Sequence, residues 1–443
     1  MSPNRKIIID TDPGVDDVLA LLLAFSASPE ELEVLLISLT FGNIDVENCL
    51  RNTVTLLYHV EREIAWRREQ GKDSGFDALL AHKPIVAVGA HEPLADQRMM
   101  ADYFHLDGID GLGGIHNTHP HLTPAQTWKS LFNISQNSEL KEHSLENEVQ
   151  DHPGRLFQPS NVPAHEEILR LLRENEKDTI TIVAVGPLTN IALAAAKDPE
   201  TFLRVKEVIV MGSTLGEVGN ITPVAEFNTY ADSFAAARVY ALTSPRPNST
   251  IPPPPPEPSG GQKSLTQPSY LAPYPDKLSR QLNLTIFPLD ITHLHVIRRG
   301  QFQATIAPLL DAGSPLAEWA SAFLSSTFAK VESLQEGVSG DAVGLELHDP
   351  LCIWYALSQG GTGWTVSKDE DIRIETTGQW TRGMCVVDKR NRRRRPADDV
   401  EGEIPSDTGN WLSVNSGNRV GRCVASPGPA LFAPFLLERV FRV

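Results

Sequence analysis

The stretch IIIDTDPGVDD, Ile7 to Asp17, decides the fold. Three successive isoleucines read as a buried strand over Lys6–Asp10, because β-branched residues pack well on a pleated surface covered on both faces. Pro13-Gly14 turns the chain, and a helix runs from about Asp16, with Val18, Leu21, Leu22 and Phe25 at helical spacing. Outward from there the alternation continues. Strands are expected at Leu35–Thr40, Ile85–Val88, Ile180–Val185 and Val208–Met211. Helices are expected at Glu166–Arg173, Leu188–Ala196 and from about Asp232, and a last strand and terminal helix between about Asn418 and Phe441. Strands alternating with helices imply parallel βαβ units, hence an α/β fold: an open, mostly parallel central sheet with helices on both faces.

Asp10, Asp12, Asp16 and Asp17 put four carboxylates within eight residues, where the strand ends and the helix begins. In open α/β sheets that edge faces the ligand crevice. Four anions so close repel one another in a half-buried site, so either some are protonated or a cation neutralises them. No Lys or Arg lies between Asp10 and Arg51. Oxygen ligands without His or Cys nearby favour Ca²⁺ or Mg²⁺ over zinc. Asp16 and Asp17 could equally be caps at a helix start. Asp12 precedes the turn and has no such explanation.

The chain has 443 residues and a formal charge of −17, which disfavours a nucleic-acid scaffold. Its longest promising apolar run, Val18–Phe25, is far shorter than a membrane span. Four scattered cysteines, Cys49, Cys352, Cys385 and Cys423, form no CxxC pair and read as free thiols. With no secretory leader evident, a cytoplasmic protein is expected. Three stretches interrupt the rhythm of a single domain over 1–443: about 118–163, polar; about 244–275, with eleven of the 33 prolines; and about 389–410, which opens on the basic run KRNRRRR. All three read as insertions, and the basic run as a solvated loop or, as a minority reading, a nuclear import signal over 389–395.

DTDPGVDD also resembles the signature of the calcium-dependent nucleoside hydrolases, the inosine-uridine-preferring nucleoside N-ribohydrolases. Further matches follow in the family's order: Asn43 in LTFGN; VAVGPLTNIALA, Val183–Ala194; VMGSTLGEVGNITPVAEFNTYAD, Val210–Asp232; and HDPLCIWYAL, His348–Leu357. The resemblance implies Ca²⁺ held by Asp12, Asp17, the backbone carbonyl of Val185 and Asp349. It implies hydrolysis of the N-glycosidic bond of ribonucleosides to ribose and free base, by a calcium-bound water activated by Asp12, through an oxocarbenium-like transition state. His348 is the implied general acid, and Asp16, Asn43, Met211, Asn220, Glu226, Phe227 and Asn228 the implied substrate-binding set. A homo-dimer or homo-tetramer and a small-molecule ribonucleoside partner, with no nucleic acid and no membrane, go with it.

One segment departs from the pattern. Many members carry His-Gly before the Gly-Leu-Gly turn; here Asp107 precedes Gly108 and the nearest histidine is His105. That leaves a catalytically weak or inactive nucleoside-binding homologue as an alternative. A phosphohydrolase with Asp10 as nucleophile and Asp12 as acid/base is a second one, although position 14 is Gly where that class usually has Thr or Val. His116, His119 and His121 read as an exposed loop without a role.

Overall fold

The computed structural model describes residues 5–96, 110–124, 156–254, 268–334, 336–358, 361–395 and 404–442. His105, Asp107 and the middle of each interrupted stretch lie outside them. Nine strands form the main sheet: β1 (Arg5–Thr11), β2 (Leu32–Leu39), β3 (Ile85–Val88), β4 (Gln158–Pro159), β5 (Ile180–Ala184), β6 (Glu207–Met211), β7 (Leu284–Phe287), β10 (Thr365–Glu370) and β13 (Val420–Ala425). Two short antiparallel ladders complete the set, β8 (Val296–Arg298) with β9 (Gly344–Glu346), and β11 (Arg373–Ile374) with β12 (Cys385–Val386).

The sheet order is β10-β13-β7-β6-β5-β1-β2-β3-β4, and every pairing is parallel except β10 with β13. From β1 the chain builds outward through β2, β3 and β4, then returns to β1's other side with β5 and builds the opposite way. The order therefore reverses between β1 and β5, which makes the carboxyl ends of those two strands the expected ligand crevice.

Side chains of β1 alternate between two hydrophobic layers. Ile7 and Ile9 join the helices Val15–Phe25, Val46–Glu69, Pro315–Leu334, His348–Leu357 and Pro429–Phe441. Ile8 joins the helices Ala164–Glu174, Thr189–Lys197 and Ser233–Ala241. Helix Val15–Phe25 is buried all round apart from Asp16, which explains its unbroken apolar sequence. The register of β1 against β2 slips between Ile7 and Ile8. Leu35 and Leu36 thus both face the second layer, a bulge that increases the local twist.

The stretches read as insertions contribute some ordered parts. Gln158–Pro159 is the sheet's edge strand, where a proline fits because one side lacks a partner. Buried Asp407 pairs with Arg395, and Arg390 with Asp388. All four cysteines are buried and unbridged. No helix among the described residues is long and apolar enough to cross a membrane.

Candidate active site

The turn after β1 meets the loops after β2, β5 and β6, and the start of helix His348–Leu357, at the reversal point. Asp12 and Asp17 are fully buried, Asp349 nearly so, and Asp16 mostly buried. Asp17 organises the turn: its carboxylate accepts from Asp12 N at 3.2 Å, Gly14 N at 3.1 Å and Thr11 Oγ1. The capping role expected of a helix-start aspartate is therefore real. It does not exclude a ligand role, because each carboxylate oxygen accepts more than one bond.

Asn43, delivered by the turn after β2, ties the two halves together. Its backbone N–H donates to Asp12 Oδ2 at 2.6 Å, and its side-chain amide to Asp17 Oδ2 at 3.0 Å. Asp12 Oδ1 is left buried with no hydrogen-bond partner. Gly42 and Gly186 wall in this carboxylate: a Cβ at Gly42 would sit 2.0 Å from Oδ2, and one at Gly186 2.5 Å from Oδ1. An orphaned buried carboxylate oxygen is costly unless something positive satisfies it. Beside it, the carboxylates of Asp16, Asp17 and Asp349 each offer an oxygen within 4.8 Å of the others. Asp12 falls outside that tight group, and Asp16 falls inside it.

The electrostatics follow from this crowding. Burial first, then repulsion from Asp17, pushes Asp12 well above the usual carboxylate range. Burial, then Asp16, Asp17 and Asp12, does the same to Asp349. Asp17 is pushed up to about 6 by burial and Asp16, against the donors Thr11 and Gly14. Without a cation these groups cannot all be ionised; the all-oxygen donor set and the orphaned Asp12 Oδ1 fit a hard divalent ion.

The remaining residues expected from sequence are placed as follows. The Val185 carbonyl, at the end of β5, accepts from Asn228 Nδ2 at 2.8 Å. Met211, at the end of β6, is buried, and Asn228 Nδ2 also reaches its carbonyl at 3.4 Å. Glu226 caps the short helix Phe227–Ala231: Oε1 takes Asn228 N at 2.8 Å, while Oε2 takes Ser213 N, Thr229 N and Thr229 Oγ1. Only Oε1 keeps room for another donor. Asn220 Oδ1 accepts from Phe227 N at 2.9 Å, pinning the loop across its own base. Buried Ser213 holds φ +79°, a strained conformation for a non-glycine residue, of the kind found at binding sites.

His348 opens its helix next to Asp349. Its Nδ1 lies 2.8 Å from Thr292 Oγ1 and its Nε2 3.1 Å from Glu346 Oε2. Burial disfavours charge on this imidazole, but Glu346, Asp16 and Glu226 outweigh it and hold its pKa above the ordinary histidine value. Neither Glu346 nor Thr292 was singled out from sequence. Glu346 had a signal, since it lies two residues before His348 at the end of a strand, where alternate side chains share a face.

Two expectations need correction. His116 is buried, not exposed. Its ring bridges Thr123 Oγ1 at 2.6 Å and Asn52 Oδ1 at 2.7 Å, and Asn52 Nδ2 donates to the Pro13 carbonyl at 2.8 Å and the Asp110 carbonyl at 2.9 Å. The acidic turn is thus propped from behind by a histidine. Asp10, the nucleophile of the phosphohydrolase alternative, is fully buried and faces away from the crevice, held by Ser38 Oγ and by Asn190 Nδ2 at 2.9 Å. It cannot reach a phosphate.

The model of the inosine-uridine preferring nucleoside hydrolases matches residues 7–406, nearly the whole chain. The chain belongs to that nucleoside hydrolase family. Pyrimidine-specific ribonucleoside hydrolase RihA of Salmonella paratyphi C is 30% identical to this family member over 383 residues, covering 86% of this chain and 88% of RihA. Uridine nucleosidase 1 of Arabidopsis thaliana is 32% identical over 241 residues, 54% of each chain. Among solved structures, the plant nucleoside hydrolase PpNRh1 superposes with a TM-score of 0.62 at 22% identity, covering 99% of both chains. The nucleoside hydrolase fold expected from the N-terminal motif is the fold observed.

Proposed function

We propose that this nucleoside hydrolase cleaves the N-glycosidic bond of ribonucleosides, giving ribose and free base, at the crevice formed by Asp12, Asp16, Asp17 and Asp349. The observation that carries the reading is the buried, partnerless Asp12 Oδ1 beside that carboxylate group, at the sheet's reversal point. Asp12, Asp17, Asp349 and the Val185 carbonyl would hold Ca²⁺, with Asp16 as neighbour to both ion and sugar. Calcium there supplies a positive charge that makes a water more acidic and orients ribose hydroxyls.

Asp12 takes the proton from the attacking water as general base, and Asn43 keeps its carboxylate aimed by occupying Oδ2. As the bond to the base lengthens, positive charge grows on the sugar, and the surrounding carboxylates stabilise it. Asn228, Glu226 Oε1 and Asn220 fix the ribose, and Met211 and Phe227 line its seat. His348 carries a proton at Nε2 against Glu346, and a leaving base seated at that rim competes for it.

The test is free-base release from uridine, cytidine, inosine, adenosine and nicotinamide riboside, with calcium and then with chelator. Uridine and cytidine come first, because relatives near 30% identity are named for pyrimidine substrates. Chelator-sensitive release is expected, and Asp12→Asn should lower kcat by at least about 100-fold, in line with loss of a general base. Intact nucleosides across the panel, in a folded protein that binds calcium, would replace this reading with a binding role. Near wild-type rates in Asp12→Asn would remove Asp12 as the base.

A further inference from the structure

A second cluster of metal-ligating groups borders the first but has different chemistry. His293, Glu346 and His348 each present one donor atom within 4.8 Å of the other two. His293 Nε2 lies 3.6 Å from Glu346 Oε2, and His348 Nε2 lies 3.1 Å from that same oxygen. Ligands bound tetrahedrally to zinc stand about 3.3 Å apart, since each bond is about 2.0 Å long. Two of the three separations are thus already near those of a filled site.

The backbone holds these residues in place from three elements. His293 follows the helix Leu289–Thr292, Glu346 ends β9, and His348 opens the helix His348–Leu357. β9 pairs with β8, and Leu347 N donates to His295 O at 2.8 Å, so the two segments are tied on either side of the cluster. The fully buried Thr292 sits 2.8 Å from His348 Nδ1. That contact occupies Nδ1, so Nε2, which faces Glu346, is the atom that would bind an ion in exchange for its proton. The Thr292 contact is the kind of outer contact that fixes a metal-binding imidazole. The side chains of His293, Glu346 and His348 are 26%, 42% and 17% exposed, so an ion can enter from solvent.

We propose that His293, Glu346 and His348 form a site for a borderline divalent transition ion, zinc foremost, distinct from the all-oxygen crevice beside it. Two imidazoles and one carboxylate with a position left open are a donor set that selects zinc, cobalt or nickel, whereas calcium takes oxygen ligands. On the reading of His348 given above, an ion here would take Nε2 away from the leaving base, so zinc would inhibit turnover reversibly.

Metal binding by the full chain tests the site without using turnover, so it stands or falls apart from the hydrolase reading. The protein is stripped with chelator, returned to excess calcium, and titrated with Zn²⁺ by calorimetry and with Co²⁺ by visible absorption. A single zinc ion that calcium does not displace is expected, with cobalt bands typical of nitrogen ligation. His293→Ala and Glu346→Gln should each weaken zinc at least about 100-fold, since even an outer-shell loss costs roughly 10–100-fold. Both should keep calcium binding, and Asp12→Asn should keep zinc binding. Undiminished zinc affinity in either rim variant, displacement of zinc by calcium, or no zinc binding by the wild type would overturn the proposal. Glu346→Gln changes charge and not shape, so it gives the answer even if His293→Ala fails to fold.

Discussion

Asp12 and Asp17 show how one residue type does two jobs a few positions apart. Asp17 accepts several turn donors and fixes the loop; Asp12 receives one backbone donor and keeps one oxygen bare. The sequence singles out Asp12, which no capping role explains, but does not show that its Oδ2 is held by Asn43, because that contact is made only in the fold. Asn52 is a further example, since nothing in its helix announces that its amide reaches the Pro13 carbonyl. Asn52→Ala releases that carbonyl and leaves His116 Nε2 unpaired. Such an unmade buried bond costs about 1–3 kcal/mol of stability. Turnover should fall by roughly 10-fold, as expected when a remote change misplaces a reacting group. Unchanged kcat and melting temperature in that variant would show that the turn stands without its prop.

Among the elements, the strands β1, β2, β3, β5 and β6 read clearly, as do the helices that follow β1, β5 and β6. The helix Val46–Glu69 did not declare itself, for a physical reason. Its buried face carries Asn52, Thr53, Thr55, His59, Glu63 and Arg67, so the apolar stripe is interrupted by polar groups. Those groups are satisfied inside: Arg67 meets Glu63 at 2.8 Å, and Ser314 donates to Glu63 at 2.7 Å. The Glu63–Arg67 pair is local, but Ser314 comes from elsewhere in the sequence, so the helix alone does not show that this face is buried. The loops after β2 and β5 make a prediction of their own. Gly42 is needed for closeness and not for backbone freedom, since a Cβ would lie 2.0 Å from Asp12 Oδ2. Gly42→Ala should therefore leave secondary structure by circular dichroism intact while reducing turnover by about 100-fold or more, through displacement of the Asp12 carboxylate. Full activity would mean that this carboxylate has slack.

For the whole molecule, buried histidines lower stability as pH falls, while burial raises Asp10 to about 7 and Asp232 to about 6, and these act the other way. His59 is fully buried, stacked on Trp319 with ring centroids 5.0 Å apart, and its Nε2 lies 2.6 Å from the Leu122 carbonyl. Burial pulls both His59 and His116 down to about 4. An unfolded histidine titrates near 6.5, so below that pH the unfolded chain takes up protons that the native state refuses. Their contribution to stability is then complete above about pH 6.5 and falls as pH drops toward 4, by up to about 1.4 kcal/mol per pH unit for each histidine. Urea unfolding in the presence of calcium between pH 6.5 and 5, compared between wild type and a variant, reads one histidine's share of the slope. His59→Phe, which keeps the stack, should flatten it by about 1 kcal/mol per unit. An unchanged slope would place the acid sensitivity elsewhere. The α/β architecture was legible because alternation is local; the sheet order was not, because nothing near β1 says that its second neighbour is β5.

That second neighbour carries a consequence for how the protein is made. β1 pairs with residues 180–184, and Asp16 and Asp17 of the helix that follows it meet Asp349, hundreds of residues later in the chain. At roughly 5–20 residues per second, the acidic turn waits for tens of seconds with its carboxylates in water, where they are harmless. The crevice cannot close around a cation until helix His348–Leu357 arrives. A nascent chain stalled before that helix should hold calcium no better than any acidic peptide, so capture of the ion would report that helix's arrival.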